Sequence, residues 1–135
     1  MKTIPTILYW GARLLAALIL LQTLFFKFTA SAESVYIFTK VGMEPWGRIM
    51  VGILELIAGV MLVIPRTAWM GATLALGLMT GAIGMHLTLL GIDVQGDGGY
   101  LFFLALLVTI CSAYTLTKNL DKITGIVSLM REKIS

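Results

Sequence analysis

Four stretches of this chain stay apolar for long enough to cross a lipid bilayer, and few folds can accommodate that pattern. They lie at about residues 4–28, 46–64, 67–92 and 99–117 of 135. A helix rises about 1.5 Å per residue and the hydrocarbon layer is roughly 30 Å thick, so about 20 apolar residues make one span. Backbone N–H and C=O groups find no water in lipid, so each span must pair them internally as a helix. Pro65 closes the second stretch because it lacks a backbone donor. The Gly96-Asp97-Gly98-Gly99 turn separates the third from the fourth. Charged residues make up 13% of the chain, against about 25% in soluble domains. The expected fold is all-α: an integral membrane four-helix bundle over residues 1–117, followed by a short amphipathic helix in a tail at 118–135.

The N-terminus imitates a secretory signal, with Lys2, an apolar run and Ala30-Ser31-Ala32. Arg13 and Lys27 interrupt that pattern, and the run exceeds the usual 7 to 15 residues, so the segment is expected to remain as the first span. Basic residues then orient the bundle. Lys2, Arg66, Lys118, Lys122, Arg131 and Lys133 fall on one side, and Lys27, Lys40 and Arg48 on the other. The excess is expected to place both termini in the cytoplasm. In the tail, Leu120, Ile123, Ile126, Val127, Met130 and Ile134 recur at helical spacing. That stripe suits a membrane surface or a partner protein; a solvated end with some helical content is the plainer reading.

Ionisable groups within the spans concentrate whatever chemistry the chain has. A charge at mid-bilayer costs about 2.5 to 3.5 kcal/mol on insertion scales, so such groups face the bundle interior and find partners there. Arg48, Gly52, Glu55 and Gly59 share one stripe of the second span, with glycines that admit a neighbouring helix beside the carboxylate. Arg13, Ala17, Leu20, Leu24 and Lys27 form a stripe in the first span, and Ala75, Met79, Ala82 and His86 one in the third. Depths counted along the helices put His86 at about 8 Å, Glu55 at about 12 to 14 Å and Arg13 at about 22 Å from the outer end. Glu55 and His86 are the pair expected to meet. Arg13 reaches Glu55 through its length or through water, and Lys27 and Arg48 crown the outer mouth. The alternative is that these groups only lock the helices together.

A basic residue early in the first span, Leu24-Phe25-Phe26-Lys27 at its end, Glu55-Leu56-Ile57-Ala58-Gly59 running through Leu62 to Pro65-Arg66-Thr67-Ala68, and Ala82-Ile83-Gly84-Met85-His86 together resemble the DoxX-like family, over roughly residues 7 to 117. Where some members have a glycine ahead of the lysine, this chain has Gln22 and Thr23. The resemblance implies a small four-helix protein of a bacterial inner membrane, of the kind associated with thiosulfate oxidation, quinone reduction and membrane redox complexes. It marks Arg13, Lys27, Glu55 and His86 as family-like polar positions and a quinone as the ligand class.

Other classes fit less well. Thiol exchange needs a pair of cysteines, and the chain has one. A single histidine leaves too few ligands for a metal or haem. The net charge of +3 follows membrane topology, so nucleic acid is not an expected partner. Small proton-coupled exporters also use one buried glutamate, but carry it in their first helix. The expected function is a membrane subunit or binding protein that holds a lipophilic ligand beside Glu55 and His86. Lipid, membrane-protein partners or a second copy are its expected contacts. A proton-coupled transporter using Glu55 and a non-catalytic assembly partner are the rival readings.

Overall fold

The computed structural model describes residues 3–134, so Lys2, counted above among the basic residues, lies outside the described residues. Among the described residues there are helices and no strand. Four helices are long and apolar enough to span a membrane: α1 (Thr3–Phe28), α3 (Trp46–Val63), α4 (Ala68–Met85, continued by a π-helical turn at His86–Leu90) and α5 (Tyr100–Thr117). Two shorter helices complete the chain, α2 (Ala32–Lys40) between the first two spans and α6 (Leu120–Ile134) at the C-terminal end. The molecule is thus an all-α membrane protein.

The spans close into a ring in which α1 and α4 each pack against both α3 and α5. Small residues set the closeness of that packing. Ala16, Ala17, Ala58, Ala72 and Ala75 are buried with Leu20, Leu62 and Val108 around them. At Gly71 a Cβ would stand 2.8 Å from the Leu62 nitrogen and 2.9 Å from the Ala58 oxygen, so α4 meets the backbone of α3 directly. Many large apolar side chains point outwards, among them Leu18, Phe25, Ile53, Val60, Phe103 and Ile110, as expected where lipid is the surrounding solvent.

Between the first two spans, where the sequence reading assigns no element, the chain forms a further helix. Residues 32–40 form α2, begun by Ser31, whose hydroxyl accepts from the Ser34 N–H at 3.3 Å. Ser34, Phe38 and Val41 recur at intervals of four and three and turn inwards over one end of the ring. That end is the α2 end, and the opposite one, with the Pro65 turn and the start of α6, is the Pro65 end. The third span also stops short of the expected residue 92, because a π-helical turn and then Gly91, at φ +79°, close it.

Candidate functional site

The two halves of the bundle treat their buried charges differently. At the Pro65 end, proline removes the N–H that would have bonded the Met61 carbonyl, and the following 3₁₀ turn leaves two further carbonyls without helical donors. Side chains take all three. Thr67 Oγ1 donates to Met61 at 2.9 Å, Arg13 Nε to Leu62 at 2.8 Å and Arg13 Nη2 to Val63 at 2.8 Å. The guanidinium also lies 4.1 Å from the Trp10 ring centroid and 5.1 Å from that of Tyr9. Arg13 is fully buried. Its fork of donors caps the carboxyl end of α3, where the helix dipole is negative. The expected reach from Arg13 to Glu55 is therefore replaced by a contact with backbone, because orphan carbonyls stand closer than the carboxylate.

At the α2 end Lys27, Glu55 and His86 line a cavity of about 450 Å³. Lys27 Nζ and Glu55 Oε2 form an ion pair at 3.1 Å, and Thr23 Oγ1 lies 3.0 Å from the same oxygen. Both side chains of the pair are largely buried, at 15% and 6% exposure. Lysine was expected at the outer mouth and instead turns into the bundle. Side chains lean towards the N-terminus of their own helix. Since α1 and α3 run antiparallel, Lys27 leans inwards, Glu55 leans outwards, and the two meet. A depth count along helix axes ignores that lean.

His86 enters the same cavity from the opposite wall. Its Nδ1 lies 2.9 Å from the Gly91 carbonyl. A carbonyl only accepts, so Nδ1 carries the proton and Nε2 of the neutral ring is an acceptor. The Phe102 ring packs edge-on against it, with centroids 5.5 Å apart. Glu55 and His86 thus share a cavity while each bonds another group. Arg48 stands outside the lining: it donates to Glu44 at 3.0 Å and to the Lys27 carbonyl, tying α3 to the end of α1.

Most of the wall is apolar, with Leu20, Ile37, Phe38, Met79, Leu104 and Val108 among its residues. Two carboxylates absent from the expected site, Glu33 and Asp97, join it at the α2 end. Asp97 accepts from the N–H groups of Val94, Gly99 and Leu101 at 3.0, 2.8 and 3.2 Å. Burial pushes its carboxyl up, but those three donors, joined by His86 whenever its ring is protonated, outweigh burial and hold it below the usual aspartate range. Glu33 is held above its ordinary value, first by burial and then by the Asp97 charge. Sequence reasoning missed α2 and hence Glu33. The Ser31 cap and the Ser34, Phe38, Val41 spacing were the available signals.

Among the described residues no group of His, Cys, Asp and Glu could hold a metal ion. The geometry offers a mostly apolar chamber with a donor, an ion pair and an imidazole acceptor on its walls. Its volume falls in the roughly 300 to 1,000 Å³ range of small-molecule sites. The sequence model of the DoxX-like family matches residues 11–113, which takes in Arg13, Lys27, Glu55 and His86. No curated protein matches the chain, and neither does any solved structure.

Proposed function

The chain belongs to the DoxX-like family, and from that premise we propose that it is a membrane-embedded binding subunit of a redox system, holding a lipophilic ligand with a polar head in the cavity beneath α2. The observation that carries this reading is the combination of an apolar chamber of about 450 Å³ with Lys27, Thr23, Glu55 and His86 on its wall. A quinone suits that chemistry. Its carbonyl oxygens need donors, which Lys27 Nζ supplies, while its reduced form carries hydroxyls that His86 Nε2 accepts. The apolar wall takes the ring and the beginning of an isoprenoid tail. Bound there, a quinone would supply two-electron redox chemistry, and the residues of this chain would bind it, orient it and exclude water.

The orientation that accompanies this reading puts both termini in the cytoplasm of a bacterial cell and the α2 end outside. Single cysteines at positions 40 and 97, in a Cys111→Ala background, should react with an impermeant reagent in intact cells. One at position 66 should not, and the reverse labelling inverts the map.

Extraction and mass spectrometry of the purified protein tests the function. A prenylated quinone should co-purify, and a short-chain benzoquinone at about 100 times its Kd should stabilise the protein by about 2.7 kcal/mol, with the effect lost in Lys27→Met. Absence of both would overturn the reading. The buried ion pair at Glu55 favours a second reading, proton-coupled transport, in which protonation releases Lys27. Substrate movement driven by a pH gradient in proteoliposomes, abolished by Glu55→Gln, would establish it.

A further inference from the structure

The cavity leaves α6 unexplained. None of its described residues is buried, and Leu120, Val127, Met130 and Ile134 are exposed. We propose that α6 is a membrane-surface helix whose apolar stripe enters the anionic leaflet next to the end of α5, and that acidic phospholipid headgroups are its partner.

Position, tethering and charge support this together. Two residues, Lys118 and Asn119, separate the end of a membrane span from the start of α6, so α6 begins at the face of the bilayer. The junction is fastened. Asn119 is 3% exposed, and its amide donates to the Tyr9 hydroxyl at 2.8 Å and to the Thr115 carbonyl at 2.7 Å. A helix tied there cannot carry its apolar stripe far from the lipid.

Charge then selects the kind of lipid. At about 100° per residue, Ile123, Ile126, Val127, Met130 and Ile134 gather on one face with Leu120 at its edge. Arg131 borders that face on one side, and Lys122 and Lys133 border it on the other. Asp121 and Glu132 fall on the opposite pole. Leu129 lies outside the stripe, beyond Lys122. Cations on both edges, with carboxylates turned away, suit a flat negative surface, which long basic side chains reach while their stems stay in the apolar layer. A protein groove would not require cations along both borders.

The test uses the full-length protein reconstituted in phosphatidylcholine vesicles with or without phosphatidylglycerol, in a Cys111→Ala background. An environment-sensitive fluorophore is placed at Met130→Cys on the stripe or at Ser128→Cys on the polar face. With phosphatidylglycerol, the probe at 130 should be quenched by lipid-borne quenchers and the probe at 128 by aqueous iodide. Each basic residue neutralised among Lys122, Arg131 and Lys133 should lower the ratio of embedded to free α6 roughly fivefold, and raised salt should act in the same direction. A probe at 130 that stays open to iodide whatever the lipid would overturn the proposal. Protection that follows the protein-to-lipid ratio would also overturn it, pointing to a second copy. So would protection that appears only with added soluble protein. Should the neutralised variants fail to insert, salt titration of the parent still decides.

Discussion

Arg13 and Lys27 are both cations of the first span turned into the bundle, yet they reach opposite outcomes. Arg13 meets the broken end of a helix and spends its donors on two backbone carbonyls, with no space left around it. Lys27 meets one carboxylate at the wall of a cavity. The difference lies in the partner: Lys27 pairs with another side chain beside open volume, where the proposed ligand would sit, whereas Arg13 pairs with backbone in a packed core and serves the architecture.

The largest expected effect comes from breaking the packed half. Arg13→Ala leaves the Leu62 and Val63 carbonyls unpaired in an apolar setting. It should cost about 3 kcal/mol or more, since hydrogen bonds to charged groups contribute about 1.5 to 3 kcal/mol each. Thermal unfolding in detergent checks it, and a loss below about 1 kcal/mol would remove Arg13 from the architecture. Gly71→Ala should act in the same direction by about 1 to 3 kcal/mol, because its Cβ meets backbone that cannot yield. Gly77→Ala, where a Cβ meets nothing within 4 Å, should leave stability unchanged. Gly77→Phe should instead reduce ligand binding by filling the cavity.

The ion pair sharpens the contrast in the other half. Glu55→Gln or Lys27→Met alone leaves the partner charge buried and should destabilise. The double variant should recover much of that loss while staying about tenfold weaker for a quinone, measured by ligand-induced shifts in Tm. Full recovery of binding would make the pair a packing device like Arg13.

The smallest effects concern pH at the α2 end. Asp97 is held below its ordinary range, so its contribution to stability is fully present above that range and is lost as pH falls through its lowered value. Glu33 is shifted upwards, so falling pH first relieves the cap by protonating it, at a pH above the usual glutamate range. As pH is lowered, Tm should therefore rise slightly before it falls. Glu33→Gln should remove the rise and Asp97→Asn should reduce the later fall, and a parent profile without the rise would show that Glu33 does not strain the cap.

What the sequence determined by itself is the set of spans and their inward faces. Length and hydropathy decide spanning because lipid permits no unpaired backbone, and helical spacing decides that Arg13, Glu55 and His86 turn inwards because lipid penalises charge. The ring order of the helices, the folding of residues 32–40 into a cap, and the choice of partners came only with the tertiary structure. Partner choice depends on differences of a few ångströms: the lean of Lys27 towards Glu55, the orphan carbonyls that reach Arg13 first, and the Gly91 oxygen that accepts a hydrogen bond from His86. Spacing along one helix carries no information about the height or tilt of its neighbour, so a pattern that identifies which groups are buried cannot say which of them meet.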